Sequence, residues 1–459
     1  MAKSGAEIFK AYDIRGIVGK SLTEERVRQI GHAIGSEARD RQVKSIVIGR
    51  DGRLSGPAFA EALSQGIRAS GIHVIDIGQV ATPVTYFAAH HLETGSAVMI
   101  TGSHNPPEYN GLKMMLAGET LAGDAIQQLR LRIEESRLHH GEGQYQQQDV
   151  REAYLQRITS DIQLKRPLNI IVDAGNGVAG ALAPILYRRL GCRVRELFCE
   201  VDGLFPNHHP DPAKPENLAD LIDALQKTDA EFGVAFDGDG DRLGVVTKSG
   251  QIIFPDRQMM VFAADILERN PGSQIIYDVK STALLASWVK DLGGEPVMWR
   301  TGHSFMKAKL KELGAPLAGE MSGHIFFKDR WYGFDDGIYA GARLLEILSR
   351  VDNPSALLEA LPSQPSTPEL HVDCGKEGAQ HSLMTSLTER ARFHGAREIV
   401  KIDGLRVEYP DGFGLVRASN TTPVLVLRFE GKDSKSLKRI QHDFRQALLK
   451  VHPELTLPF

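Results

Sequence analysis

Cysteine is scarce in this 459-residue chain: there are three, Cys192, Cys199 and Cys374, and no CxxC pair. So sparse and odd a set suits a reducing compartment and argues against a disulfide framework or a thiolate zinc site. Long apolar runs are also missing. None approaches the ~20 residues that cross a bilayer, and the opening stretch MAKSGAEIFKAYDIRG holds no apolar segment of the signal-peptide kind. There is no long run of lysine and arginine, and the net charge is 54 − 58 = −4, which argues against a nucleic-acid footprint. The expected protein is cytoplasmic and monomeric and binds neither nucleic acid nor membrane. If it takes an anionic ligand, a few residues must gather positive charge locally.

What is present is a soluble globular composition, 42% hydrophobic and 24% charged. The length exceeds one core and suggests three or four domains at roughly 100–200 residues each. Short β-branched runs such as Ser45–Gly49, Asn169–Asp173 and Gln274–Asp278 alternate with Ala/Leu-rich helical patterns, the rhythm of α/β domains. Each of these runs is followed, some way along the chain, by a second strand ending in a polar loop: TGSHNP (101–106), DGDGDR (237–242) and GEMSGH (319–324). The expected fold is α/β, with three similar mixed-sheet α/β domains plus a smaller C-terminal α+β domain around a central cleft. Strand ends of such sheets are where ligands bind. Composition places the boundaries at 1–148, 149–251, 252–363 and 364–459. The polar segment 139–149 reads as a connector, the proline-rich segment 354–368 as a linker, and 206–215 as an ordered surface loop.

FDGDGDR sets Asp237, Asp239 and Asp241 at every second position with glycine between. Three carboxylates so close repel without a cation, and oxygen-only ligands select a hard ion, Mg²⁺ or Ca²⁺. An EF-hand would need Gly and Glu where Arg242 and Lys248 stand. Ser103 follows a buried-looking strand in a Gly/Asn/Pro turn. The hydrolase elbow G-x-S-x-G fails at Asn105, and His104, its sequence neighbour, is poorly placed to act as its base.

These motifs carry a resemblance. TGSHNPPEYNGLK, DGDGDR, GEMSGH and RASNTTP (417–423), in this order and spacing, resemble the α-D-phosphohexomutase superfamily. Within it they look most like the bacterial phosphomannomutase/phosphoglucomutase branch. The resemblance implies an enzyme that interconverts hexose 1-phosphates and hexose 6-phosphates, with a phosphorylated Ser103 and a hexose 1,6-bisphosphate intermediate. It implies Mg²⁺ held by that phosphate with Asp237, Asp239 and Asp241, and glucose 1,6-bisphosphate as activator. It assigns Glu320, Met321, Ser322, Gly323 and His324 to the sugar. Arg417, Ser419, Asn420 and Thr421 go to the non-reacting phosphate, and Tyr12, Lys280 and His303 to further substrate contacts. Arg15, Lys113, His104 and Arg242 fall around the transferred phosphate. Lys113, Arg15, His303 and His324 stay open as general acid or base.

Rival patterns are weaker. GNGVAG (175–180) matches a dinucleotide fingerprint but leaves the Asp loop unexplained. Gly19–Ser21 is no P-loop, because Ile14 stands where its first glycine belongs. A non-catalytic sugar-phosphate binder would carry no phosphate on Ser103. Phosphoglucosamine mutase is the nearest enzyme alternative, but its phosphate loop reads more like S-G-T-E-P than Ser-Asn-Thr-Thr-Pro.

Overall fold

The structure is a computed structural model that describes residues 5–376, 378–420 and 422–459. Three sheets repeat one four-stranded unit. In the first, the order is Tyr109–Leu116, Ala97–Ile100, Ser45–Arg50, His73–Gln79. The second runs Leu243–Thr247, Phe232–Phe236, Asn169–Asp173, Arg193–Leu197, and the third Ile325–Phe327, Leu317–Gly319, Gln274–Asp278, Glu295–Trp299. In each unit three strands are parallel and the last in chain order is antiparallel. The inner parallel strands are buried and largely apolar, whereas the edge strands Arg193–Leu197 and Glu295–Trp299 are partly exposed and carry charge.

That topology positions the site. The third strand of each unit runs up beside the first and returns as the antiparallel fourth. The hairpin between them therefore opens at the carboxyl edge of the parallel strands, as the loops before Tyr109, Leu243 and Ile325 do. These are the three polar loops of the sequence. The fourth sheet differs: Leu370–Asp373, Val424–Gly431, Gly412–Ala418, Leu405–Tyr409 and Glu398–Val400 are antiparallel throughout. Helices Ala379–Arg390 and Ser434–Val451 complete an α+β domain with its own apolar core.

The units are joined by packing and by buried cations. Phe87, Tyr154, Trp331 and Tyr339, drawn from all three repeats, share one core, with Trp331 stacked on Tyr339 at 4.2 Å. The C-terminal domain docks on the segment after Asp278. Buried Arg406 donates to the carbonyls of Val279 and Ser281 at 2.6 and 2.7 Å, and buried Arg428 donates to Asp256 and to the Lys280 carbonyl. Among the described residues no helix is long and apolar enough to cross a membrane.

Three sequence expectations change. The connector at 139–149 contains an edge strand, Tyr145–Gln147, parallel to His73–Gln79. The linker at 354–368 opens with a helix, Pro354–Glu359. Asn353 caps it and Pro354 stands at its first position, where proline favours a helix. In the loop at 206–215, Pro210, Asp211 and Pro212 are buried. GNGVAG opens only a short 3-10 turn, Val178–Ala181, and its glycines serve packing rather than a dinucleotide. A side chain on Gly177 would come within 3.0 Å of Gly238 in the Asp loop.

Asp336 caps the buried helix Gly337–Leu348, accepting from Tyr339 N at 2.8 Å and from the Tyr154 hydroxyl at 3.0 Å. Burial pushes its carboxyl up to about 7, from 3.8. The folded state then binds more protons than the unfolded one, so this group's contribution falls as pH rises from about 4 to about 7. Asp336→Asn keeps both acceptor roles and removes the charge. Denaturant midpoints at about pH 5 and pH 8 should converge in the variant, with a relative gain of at least about 1 kcal/mol at the higher pH.

Candidate active site

Ser103 sits just past the strand Ala97–Ile100, 1% exposed, in the left-handed region at φ 51°. One guanidinium holds the backbone of its loop. Buried Arg53 donates to the carbonyls of Ser103, Asn105, Pro106 and Tyr109 at 2.6–2.8 Å. Asp51 accepts from Thr101 Oγ1 at 2.7 Å and Gly102 N at 3.3 Å. Only glycine fits at 102, because a Cβ there would stand 2.4 Å from the Arg53 guanidinium. The hydroxyl donates to Asp237 Oδ2 at 3.2 Å, and His104 Nδ1 lies 3.3 Å from it. The turn thus brings His104 within reach of its own neighbour, contrary to the sequence argument. Burial and the nearby Arg242 and Arg15 push that imidazole well below its usual range.

Asp237, Asp239 and Asp241 are fully buried and offer one oxygen each within 4.8 Å of one another. Gly238 lets the first loop cross this one, since a Cβ there would lie 2.4 Å from the Ser103 carbonyl. Lys113, on the strand returning from the serine loop, donates to Asp239 Oδ2 at 2.7 Å and Asp241 Oδ2 at 2.5 Å. Thr82, first residue of the helix Thr82–His91, donates its hydroxyl to Asp239 and its N–H to the Asp239 carbonyl. Against the effect of burial, Lys113 and Thr82 hold Asp239 below the usual carboxylate range. Arg242 Nε stands 3.8 Å from Asp237, yet burial with Asp239 and Asp241 beside it drives its carboxyl well above that range. Lys113 and Arg242 together therefore do not balance three carboxylates. Asp239 Oδ1 and Asp241 Oδ1 are buried without a partner. An all-oxygen set with unused acceptors and one uncompensated charge fits a hard divalent cation.

The third loop meets the second through an isolated bridge, Arg242 to His324. Arg242 Nε donates to His324 Nε2 at 3.1 Å and lies 3.8 Å from Asp237 Oδ2. Glu320 accepts from Gly302 N and, at 3.4 Å, from Ser322 Oγ. Met321 N donates to Asp278 Oδ1 at 3.1 Å, and Gly323 turns the loop at φ 103°. His303 stacks on His324 with ring centroids 5.5 Å apart.

The C-terminal loop closes the other end. Arg417 donates to Asp403 at 3.0 Å, Asn420 donates to the Tyr12 hydroxyl, and Tyr12 donates to the Thr301 carbonyl at 2.9 Å. Ser419 Oγ and Thr422 Oγ1 lie 3.0 Å apart. Thr421 lies outside the described residues. Lys280 pairs with Glu369 at 2.6 Å, and Tyr12 touches the His303 ring at 6.0 Å. Arg15 donates to Asn105 at 2.8 Å. The described site residues thus form two groups, one around Ser103 and the Asp loop and one around Arg417, bridged by Tyr12 and His303.

Sequence reasoning missed Asp51, Arg53, Thr82, Asp278 and Asp335. A repeat signal existed for two of them. An aspartate ends or directly follows the first strand of every unit: Asp51, Asp173 and Asp278. Each ties down a loop at the carboxyl edge. Asp173 does so through His208 at 3.0 Å, within the loop whose Pro210 packs on Gly238.

The chain resembles known proteins along its whole length. Four family models match in chain order: phosphoglucomutase/phosphomannomutase alpha/beta/alpha domain I over residues 6–139, domain II over 152–250, domain III over 254–364, and the C-terminal domain over 369–447. The chain belongs to the phosphoglucomutase/phosphomannomutase family. It is 58% identical over 460 residues to a phosphoglucomutase of Neisseria gonorrhoeae, covering 100% of both chains. It is 54% identical over 455 residues to a phosphomannomutase/phosphoglucomutase of Pseudomonas aeruginosa, covering 99% of this chain and 98% of the relative. The crystal structure of a phosphoglucomutase/phosphomannomutase family protein from Burkholderia thailandensis superposes with a TM-score of 0.95 at 59% identity over the full length of both.

Arg53 generates a direct prediction. An ammonium cannot reproduce a planar fork that serves four carbonyls. Arg53→Lys should lower kcat by about 10²-fold through misplacement of Ser103, read by steady-state turnover, with a smaller change in KM.

Proposed function

We propose that this chain interconverts hexose 1-phosphates and hexose 6-phosphates, of glucose and mannose, through a phosphorylated Ser103. The observation that carries the reading is the meeting of Ser103 Oγ with Asp237, 3.2 Å away, inside a buried loop of three carboxylates. The division of labour follows segments 1–148, 149–251, 252–363 and 364–459: phosphoserine, cation, sugar and non-reacting phosphate. Relatives named for glucose and mannose substrates favour these sugars over glucosamine phosphate.

In the forward step the phosphoryl group leaves Ser103 Oγ for O6 of a hexose 1-phosphate. The P–Oγ bond breaks as P–O6 forms, the O6 proton passes to a base, and the freed Ser103 Oγ takes up a proton. The 1,6-bisphosphate turns over in the cleft. Ser103 Oγ then gives up its proton and recovers the phosphoryl group from O1, which takes a proton from the base, and hexose 6-phosphate remains. Added glucose 1,6-bisphosphate would load Ser103 by the same route. Asp237, Asp239 and Asp241 with the Ser103 phosphate would hold Mg²⁺, which would offset the charge of the transferring phosphoryl group.

Four residues were open as the base. Arginine does not deprotonate, which removes Arg15. Lys113 is driven well above its usual range by Asp239 and Asp241 despite burial, so it stays an ammonium. Of the two histidines, His324 presents to Arg242, and so to the serine side of the cleft, a ring nitrogen that accepts a hydrogen bond. The reading makes His324 Nε2 the proton carrier. Glu320 and Ser322 hold the hydroxyls at C3 and C4, which glucose and mannose share, so the site should accept both.

Incubation with glucose 1,6-bisphosphate should add the mass of one phosphate to the intact chain, mapped by peptide analysis to Ser103. Ser103→Ala should gain nothing and lose nearly all turnover of glucose 1-phosphate and mannose 1-phosphate. Near-normal turnover in that variant would contradict the reading.

A further inference from the structure

His324 has a polar neighbour at each ring nitrogen, a hydrogen bond at Nε2 and a carboxylate in ion-pair range at Nδ1. Arg242 Nε donates to Nε2 at 3.1 Å, and a guanidinium has no acceptor, so Nε2 carries a lone pair. A neutral ring must then hold its proton on Nδ1. That nitrogen lies 3.0 Å from Asp335 Oδ2 and 3.6 Å from Asp241 Oδ1. Both oxygens and Nδ1 itself are buried and make no hydrogen bond elsewhere, which leaves the closer carboxylate, Asp335, as the acceptor the Nδ1 proton would use. Asp335 is itself pinned, because its Oδ1 accepts from Lys307 Nζ at 2.9 Å. Lys307 in turn stands 4.4 Å over the Tyr86 ring of the first unit. His303 closes the group, with Nδ1 3.7 Å from Asp335 Oδ2.

We propose that Asp335 is a positioning residue for the mutase reaction: it holds the His324 ring with its proton on Nδ1, so that Nε2 faces the cleft as a proton acceptor. The inference rests on the reading of His324 as the proton carrier. Asp335 touches no reacting atom. It acts through the imidazole, as the buried carboxylate does in Ser–His–Asp hydrolases, where fixing the tautomer is its main contribution. Lys307 is part of the device, since an ammonium can only donate and therefore fixes which oxygen of the carboxylate remains for His324.

This arrangement makes an unusual demand on the isosteric variant. In Asp335→Asn the side-chain oxygen must face Lys307, the obligate donor, which turns the new NH2 toward His324 Nδ1. An amide N–H there forces the ring proton onto Nε2, where it opposes Arg242 and no longer accepts. Removing the donor frees the amide to turn its oxygen back to His324. Asp335→Asn alone should therefore be worse than Asp335→Asn combined with Lys307→Met; relief of the unpaired Lys307 charge would give the same order in kcat, so the tautomer of His324 is the readout that separates the two.

The test compares the full-length wild type, Asp335→Asn and the double variant, each labelled with ¹⁵N-histidine and assayed on glucose 1-phosphate. Asp335→Asn should lose on the order of 10²–10⁴-fold in kcat, with KM changed by less than about threefold, and its His324 ¹⁵N signals should switch tautomer. The double variant should recover at least about tenfold in kcat and the original ¹⁵N pattern. A wild type without mutase turnover would overturn the reading of the site itself. With an active wild type, kcat kept within about threefold in Asp335→Asn, a loss with an unchanged His324 pattern, or no recovery in the double variant would each overturn the role of Asp335.

Discussion

Three carboxylates packed within 4.8 Å in a fully buried loop set the terms for the rest of this molecule. Such a cluster is strongly unfavourable unless positive charge is brought to it. The fold brings some from every direction. Lys113 reaches in from the serine hairpin, the Thr82–His91 helix points its amino end at Asp239, and Arg242 leans on Asp237 from the loop's own end. What remains uncompensated faces Ser103. On the proposed reading a divalent cation would sit at that point and hold the Asp loop and a phosphate on Ser103 together.

The repeated topology explains how loops from distant parts of the chain meet. Each unit delivers its polar hairpin at the carboxyl edge of its parallel strands, and an aspartate at the end of the first strand holds a loop there. The inter-unit contacts then fix the loops against one another: Arg242 bridges to His324, Lys113 to Asp239 and Asp241, and Lys307 covers Tyr86. The C-terminal domain docks on the segment carrying Lys280, and its Asn420 reaches Tyr12 of the first unit. The loop around Arg417 is thereby shared among elements that could separate only by breaking these bonds.

The parts of the site legible in the sequence are those written in one contiguous stretch. TGSHNP, DGDGDR and GEMSGH each bring their chemistry within a few residues, and the three-unit repeat shows in their spacing. Arg53 was illegible because it acts some fifty positions downstream, on backbone carbonyls that carry no sequence signature. Thr82 acts on a neighbouring unit and Asp335 on side chains earlier in its own, and both are equally silent. The helix Pro354–Glu359 was hidden because its proline marks a helix start as readily as a linker. His104 was discounted on sequence adjacency, whereas the positive φ of Ser103 turns the two side chains toward each other.

The central claim is that the Asp loop and the Ser103 phosphate form one cation site. Calorimetric titration of Mg²⁺ into the chain with Ser103 phosphorylated and with Ser103 free tests it most directly. The account predicts binding at least about tenfold tighter to the phosphorylated form, and loss of that difference in Asp237→Asn. Equal affinity for the two forms, or a difference that survives Asp237→Asn, would contradict it.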